Sequence, residues 1–335
     1  MLKRLFAAAL GLALAWTLPV LAAPADANYF KGKTINYVVA TGAGGGYDTY
    51  GRLIARYMQK YLPGSRFLVR NVPGAGHIIG ANTIYTSRPD GLTIGMFNTG
   101  LIYNQLMGLP GIQFDLNRFS WIGKASDEIR VMVISTKSGY KTIDDMLKVR
   151  SPVKFAAAGV GSAAYLDTRI LDFILPIDIQ TVTGFDGAEG ELSMLRGEVV
   201  AQTGIASSFD QFVKNGGGYY ALAMSQLAHD ILPNVPQARQ YVTDERSARL
   251  LNLLEALSDL GRLTAGPPGI PADVLKVLRD AHDKAVQDPL FVEDARKLNM
   301  PVKFGTGDFV AQRIKEALTQ TPETIALLKQ AASAQ

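Results

Sequence analysis

The chain has 335 residues, of which 47% are hydrophobic, with 33 Gly and 16 Pro, a composition that excludes a disordered or fibrous protein. It contains no cysteine, which excludes disulfides, thiolate catalysis, thiolate metal sites and a lipid-modified cysteine. The formal net charge of +4 includes Lys3 and Arg4 in a segment expected to be removed. No basic stripe is interleaved with aromatic residues, so we expect no nucleic acid partner.

The first 25 residues have the three parts of a secretory signal peptide. A basic start is followed by an apolar run from Leu5 to Leu18 and then by small residues, with cleavage expected after Ala22 or Ala25. The alternative is a transmembrane anchor, but the apolar run is shorter than the roughly 20 residues that span a bilayer. We therefore expect an exported, periplasmic protein.

Strand and helix patterns alternate along the rest of the chain. The run from Thr34 to Ala40 predicts a buried strand that ends at a glycine loop, and the helix that follows ends near Pro63. Such alternation favours a parallel sheet covered on both faces. Further strands are expected at 67–70, 93–97, 131–135, 154–158, 180–183, 199–203, 220–224 and 263–265, and further helices at 78–85, 142–147 and 163–175 and from near residues 272, 290 and 308.

Two of the predicted strands end in glycine-containing loops, residues 41–48 and 159–165. In open α/β sheets, ligands bind beyond the carboxyl ends of strands. Each loop also precedes a predicted helix, whose first backbone N–H groups are unpaired and favour an anion. Two such loops facing each other would form a clamp for a carboxylate.

Several segments together resemble the receptors of tripartite tricarboxylate transporters, also called Bug extracytoplasmic binding proteins. These segments are VVATGAGGGYD at 38–48, NVPGAG at 71–76, PDGLT at 89–93, GPPGIP at 266–271 and Asp-Pro at 288–289. Their order and spacing match the family over essentially the whole mature chain. In relatives, the backbone amides of two glycine loops hold a ligand carboxylate, partly through ordered water.

The resemblance implies an α/β fold of the periplasmic binding protein type II kind, with two α/β lobes, a ligand cleft and two crossover strands. Lobe 1 is expected to comprise residues 26–129 and 261–335, and lobe 2 residues 130–260. The implied function is capture of a di- or tricarboxylate or an aromatic acid for integral membrane permease subunits. We expect a monomer that is not an enzyme and that uses no cofactor.

The predicted ligand-binding residues come from the two loops and from neighbouring strand ends. They are Thr41, Gly42, Ala43, Gly44, Gly45, Gly46, Tyr47, Asp48, His77, Asn98, Thr99, Gly159, Gly161, Ser162, Ala163, Ala164, Phe185 and Asp186. Three of these positions depart from the family pattern. Tyr47 stands where threonine is usual and would narrow the pocket, His77 replaces a small residue, and Gly184-Phe185-Asp186-Gly187 replaces a Tyr-Lys-Gly segment.

Some residues have two interpretations on the basis of the sequence alone. Asp48 either contacts the ligand or caps the helix that it opens. Ser162 either donates to a bound carboxylate or caps a helix, because the G-x-S-x-G elbow of a hydrolase is absent. The glycine run fails the G-x-G-x-x-G dinucleotide pattern, and the three histidines show no metal-binding spacing. An exported enzyme and a sensor subunit for the same ligand are the alternatives to a transport receptor.

Overall fold

The computed structural model describes residues 25–228 and 232–333. The predicted signal peptide, apart from Ala25, lies outside the described residues. Among the helices of the described ranges, none is both long enough and apolar enough to cross a bilayer.

The described residues form eleven strands and twelve α-helices. The strands are β1 (Thr34–Val39), β2 (Arg66–Asn71), β3 (Thr93–Phe97), β4 (Ser120–Ser126), β5 (Arg130–Ser135), β6 (Val153–Ala157), β7 (Ile179–Thr183), β8 (Ala201–Ile205), β9 (Gly218–Ala223), β10 (Gly261–Gly266) and β11 (Gly305–Thr306). The helices are α1 (Gly46–Tyr61), α2 (Ile78–Tyr85), α3 (Gly100–Met107), α4 (Ile143–Leu147), α5 (Ala163–Ile174), α6 (Glu189–Arg196), α7 (Ala206–Lys214), α8 (Glu245–Glu255), α9 (Ala272–Val286), α10 (Pro289–Lys297), α11 (Gly307–Leu318) and α12 (Pro322–Ser333).

The strands form two separate sheets, which define the two lobes. The first lobe has the six-stranded sheet, in the order β11-β4-β10-β3-β1-β2, and the second lobe has the five-stranded sheet, in the order β7-β6-β8-β5-β9. This is the expected two-lobed α/β architecture. The expected parallel pairing holds for β1 with β2 and β3 and for β6 with β7 and β8. Both sheets are nevertheless mixed, because β10 runs antiparallel to β3 and β4, and β5 runs antiparallel to β8 and β9.

The antiparallel strands are those by which the chain passes between the lobes. Residues 127–129 lead from β4 of the first sheet directly into β5 of the second, and β10 brings the chain back. The two crossings touch, since the N–H of Glu128 donates to the carbonyl of Ser258 at 2.7 Å. The predicted lobe boundaries remain a prediction, because α12 packs against both α3 and α5.

Helix α1 shows why the local sequence folds as it does. Its buried face, which includes Tyr50 and Ile54, packs on β1. Gly51 permits close approach, because a Cβ at that position would lie 2.7 Å from the side chain of Val39. Among the other predictions, the Thr142 cap of α4 is confirmed as a capping box with Asp145.

Candidate functional site

A cavity of about 110 Å³ lies between the two lobes, with room for several water-sized groups. Its wall includes Thr41, Asn98 and Ala158, which follow the ends of β1, β3 and β6. A larger hollow of about 450 Å³ is formed by residues that include 205–207 and 299–302. The smaller cavity is the candidate site, because strand ends and helix N-termini from both lobes meet there.

The first glycine loop places the N-terminus of α1 at this cavity. Gly45 is the N-cap and provides no side-chain cap, so the first N–H groups of α1 keep no partner within the helix. Gly46 and Tyr47, the first two residues of the helix, line the cavity. The positive end of the α1 dipole therefore faces the cavity.

Asp48 has a structural role within this loop and does not line the cavity. It is the third residue of α1, and its carboxylate accepts from the N–H of Gly44 at 3.0 Å and from Asn71 Nδ2 at 3.0 Å. Arg52 Nη2 lies 2.9 Å from the same carboxylate. Burial raises the pKa of Asp48, but the bonds from Arg52, Gly44 and Asn71 outweigh burial and lower it. Asp48 thus fixes Gly44, the residue before the N-cap. The expected helix cap would instead have accepted from N–H groups two or three residues after Asp48.

The second loop places the N-terminus of α5 at the same cavity. Ser162 is the N-cap, and its side chain accepts from the N–H of Tyr165 at 3.2 Å. Ser162, Ala163 and Ala164 line the cavity. The capping role of Ser162 leaves its hydroxyl proton available as a donor.

A carboxylate of the second lobe reaches into the first loop. Asp186, between β7 and α6, accepts from the N–H of Gly42 and from the N–H of Gly187 at 2.7 Å. His77 Nε2 lies 3.3 Å from Asp186 Oδ1. Burial raises the pKa of Asp186, but the bonds from His77, Gly42 and Gly187 outweigh burial and lower it. Asp186 therefore occupies the Gly42 N–H, which a ligand could otherwise use.

His77 is fixed in an unusual backbone conformation. Its φ is +79°, and Ala75 before it has a φ of +48°. Non-glycine residues in this left-handed region are strained and often mark functional sites. The imidazole Nδ1 contacts the side chain of Asn98, whose Oδ1 accepts from the N–H of Gly100 at 2.9 Å. His77 thus links the end of β3 to Asp186 of the other lobe.

The lobes also touch through main-chain contacts at glycines, which together we call the glycine seam (Gly42, Gly45, Gly76, Gly100 and Gly187). A Cβ on Gly76 would lie 2.3 Å from the carbonyl oxygen of Val160, and one on Gly187 would lie 2.5 Å from that of Ala43. A Cβ on Gly100 would lie 2.7 Å from the backbone nitrogen of Ala163. An added side chain would clash at Gly76, Gly100 and Gly187, and at Gly42 and Gly45 it would require small shifts of the neighbouring backbone, so glycine at these contacts lets the lobes close on each other.

Buried charges support the cavity wall at the crossover. The guanidinium of Arg130 lines the cavity and donates to Glu128 Oε2 at 2.6 Å and to the Asp167 carboxylate. Burial raises the pKa of Asp167 to about 6, although Arg130 counteracts it. Tyr47 donates its hydroxyl to Glu128 Oε1, which fixes the ring against the cavity.

A second buried guanidinium lies directly behind the N-terminus of α1. Arg262 stacks on the ring of Tyr47, with 4.2 Å from Cζ to the ring centroid, and its Nη2 lies 3.1 Å from Ser208 Oγ. A Cβ on Gly46 would lie 2.9 Å from Nη2. Arg262 is fully buried, its Nε and Nη1 lack hydrogen-bond partners, and no carboxylate of the described residues forms an ion pair with it. An uncompensated buried cation favours a nearby anion.

The sequence of residues 51–329 matches the family model described as tripartite tricarboxylate transporter family receptor. The chain belongs to this receptor family. The receptor is 27% identical over 292 residues to the UPF0065 protein in the tcbD-tcbE intergenic region of Pseudomonas sp. (strain P51), covering 85% of this chain and 83% of that protein. The family consists of solute-binding receptors, so the receptor is not an enzyme and the hydrolase alternative is excluded.

Solved structures of periplasmic binding proteins share its fold. The structure of BugD superposes with a TM-score of 0.74 at 20% identity, covering 89% of the receptor and 97% of BugD. MatC from Rhodopseudomonas palustris with bound malate superposes with a TM-score of 0.71 at 19% identity, covering 90% of the receptor and 99% of MatC.

The structure brings most of the predicted site residues to one cavity. Those that line it are Thr41, Gly45, Gly46, Tyr47, His77, Asn98, Ser162, Ala163, Ala164, Phe185 and Asp186. Those that lie behind or beside the wall are Gly42, Ala43, Gly44, Asp48, Thr99, Gly159 and Gly161. Thr99 is one of the supports, since its hydroxyl donates to Glu128 Oε2 at 2.5 Å.

Several charged and polar residues that the second lobe adds to the wall were not predicted from the sequence. These include Arg130, Glu191, Gln202 and Ser208. Arg130 begins β5 and Gln202 lies in β8, and nothing in a single sequence distinguishes a buried charge at a strand end from a solvated one. Within the described ranges, no group of three or more His, Asp or Glu side chains could hold a metal ion.

Proposed function

We propose that the receptor captures a small organic carboxylate in the periplasm and delivers it, as a monomer, to integral membrane permease subunits. One observation carries the proposal: the uncapped N-terminus of α1 meets the N-terminus of α5 across one cavity, and Arg262, which forms no ion pair with any described residue, lies behind α1. Helix N-termini and buried cations both favour an anion. A carboxylate is one of the anions that backbone N–H groups at a helix N-terminus bind.

The lobes would close around this anion by bending at the crossovers. Residues 127–129 and 258–260 are the places where the chain passes between the sheets, and the Glu128 to Ser258 bond holds them together. Closure of this kind encloses the ligand and creates a surface for a membrane partner. The malate bound to MatC supports the ligand class. The signal peptide would direct export and be removed by cleavage after Ala22 or Ala25.

A binding screen tests the proposal. The mature chain, freed of retained solute by unfolding and refolding, is mixed with monocarboxylic, dicarboxylic, tricarboxylic and aromatic acids and with neutral sugars as controls. We expect at least one acid to raise the melting temperature and to bind by calorimetry, since a ligand that binds only the native state stabilises it. If every acid leaves the melting temperature unchanged, the proposal is wrong.

Uptake separates transport from signalling. A strain that lacks this chain should lose uptake of the acid identified in the screen and regain it with the wild-type gene. Normal uptake with a lost transcriptional response would favour the sensor alternative.

A further inference from the structure

One carboxylate in the cavity wall has no partner. Glu191, in the first turn of α6, lines the cavity but forms no hydrogen bond or ion pair with any residue of the described ranges. Burial, unopposed by any donor or cation, raises the pKa of this carboxyl to about 7. Glu191 is partly buried, and the cost of holding an unpaired carboxylate there is reduced when a cation or donor binds beside it.

The helix dipole alone does not explain this residue. Acidic residues in a first turn are favourable, and Glu189 already fills that role on the same turn. Glu189 is mostly exposed, and its carboxylate lies 3.7 Å from Arg196. Glu191 differs from Glu189 because it faces the cavity and has no cation near it.

A second unpaired acceptor lies beside the α6 turn. Gln202, on β8, also lines the cavity, and its Oε1 is buried without a partner. It is adjacent to Gly190, where an added Cβ would lie 2.1 Å from Oε1. This part of the wall, from α6 and β8, therefore carries the unpaired carboxylate of Glu191 beside the amide of Gln202, whereas the N-termini of α1 and α5 present donors.

The charges of the wall disfavour a ligand with several carboxylates. The wall contains two acidic side chains, Asp186 and Glu191, and one guanidinium, that of Arg130. Arg130 is already paired with Glu128 and Asp167. One carboxylate can bind at the helix N-termini, with Arg262 behind α1, but a second would have to approach Glu191 or Asp186.

We propose that the ligand is a zwitterion with one carboxylate and one protonated amine, and that Glu191 selects the amine. The carboxylate end rests on the function proposed above. The amine end rests on the unpaired carboxylate of Glu191 and on the excess of acidic groups in the wall.

Matched sets of acids test the amine end. Each set has an unsubstituted acid, an amino acid and a dicarboxylic acid of one chain length: propionate, β-alanine and malonate; butyrate, γ-aminobutyrate and succinate; valerate, δ-aminovalerate and glutarate. The α-amino isomer α-aminobutyrate joins the second set. We expect the amine-bearing member of the best-bound set to bind about tenfold or more tightly than its partners, as a new ion pair implies.

Two variants connect this preference to the residue. Glu191→Gln should weaken binding of the amine-bearing acid about tenfold and leave the unsubstituted acid unchanged. Glu189→Gln, which removes the same charge from the same helix turn outside the cavity, should change neither. Circular dichroism and melting of the ligand-free variants check that both are folded.

The outcomes separate the two proposals. If unsubstituted or dicarboxylic acids bind as tightly as their amine-bearing partners, or if Glu191→Gln leaves the preference intact, the zwitterion proposal is wrong and the carboxylate proposal stands. If no acid of any kind binds, both are wrong.

Discussion

His77 Nε2 of the first lobe lies 3.3 Å from Asp186 Oδ1 of the second lobe. The same carboxylate accepts from the N–H of Gly42. The side chain of Asp186 therefore connects the second lobe both to His77, at the start of α2, and to the first glycine loop. This arrangement makes Asp186 a test of how closure depends on charge.

We expect Asp186→Asn to weaken the closed state at neutral pH. The folded-state pKa of Asp186 lies below its ordinary value of 3.8, so its contribution is present above that value and is lost as pH falls through the folded-state pKa. Wild type should exceed Asp186→Asn in unfolding free energy by about 1 kcal/mol at neutral pH, after allowance for partial exposure. Urea denaturation at several pH values measures the difference, which should shrink below about pH 4. A pH-independent difference would contradict this role.

We expect Gly76→Ala to prevent full closure. An alanine Cβ would meet the Val160 carbonyl oxygen at 2.3 Å, far inside van der Waals contact. Small-angle scattering should show a larger radius of gyration, and ligand affinity should fall about tenfold or more. Gly108→Ala is the matched control, because Gly108 has a similar φ of +68° and no atom within 4 Å of an added Cβ. Equal effects of the two variants would assign the loss to backbone strain alone.

We expect Arg262→Gln to reduce affinity for the carboxylate about tenfold by removing the cation behind α1. Calorimetry at low and moderate salt measures the effect, which should persist in salt because Arg262 is fully buried. Arg296→Gln removes an exposed guanidinium that pairs with Glu293 and should leave the affinity unchanged. Unaltered binding by Arg262→Gln would show that the helix N-termini suffice.

We expect Glu191→Gln to stabilise the ligand-free receptor increasingly as pH rises. Burial raises the pKa of Glu191 from 4.5 to about 7, so its stabilising contribution is complete below pH 4.5 and is lost as pH rises through about 7. The advantage of the variant should grow between pH 5 and 8 by on the order of 1–2 kcal/mol. Tyr220 on β9, whose pKa Glu191 helps to raise, is protonated throughout this range. Chemical denaturation of Glu191→Gln and Glu189→Gln measures the difference, and parallel pH profiles for wild type and Glu191→Gln would contradict it.

Where the local pattern was strong, the sequence predicted the structure. The strand before the first glycine loop and the strand before the second were expected at 34–40 and 154–158, and the structure has them at Thr34–Val39 and Val153–Ala157. Each combines a β-branched or apolar run with a glycine stop, so local preference and final packing agree.

Two of the elements that were not predicted, β4 and α3, lack such local signals. Strand β4 has the sequence SWIGKAS and is buried throughout, including Lys124, which pairs with Asp127. Its strand character comes from pairing with β10 and β11, which are distant in sequence. Helix α3 begins with glycine, and its polar Asn104 is buried. Tertiary contacts override weak propensity in both elements.

The candidate site divides in the same way. Loop residues such as Gly46 and Ser162 were predictable because strand ends and helix starts fix their place. The roles of Arg130, Arg262 and Glu191 were not predictable, because they depend on which charged side chains lie next to these residues in the folded chain. The bond from the Gly42 N–H to Asp186 was not predictable for the same reason, since Gly42 is 144 positions earlier in the chain.

The glycine seam has a consequence for how new specificities arise in this scaffold. Since the halves dock through peptide groups at positions such as Gly76 and Gly187, the docking geometry at these contacts does not depend on side chains such as Gln202 and Phe185. Residues that recognise the solute can therefore be exchanged while the bending movement is retained. Engineering of this receptor into a sensor for another metabolite should alter positions such as Gln202 and Phe185 and keep the seam untouched.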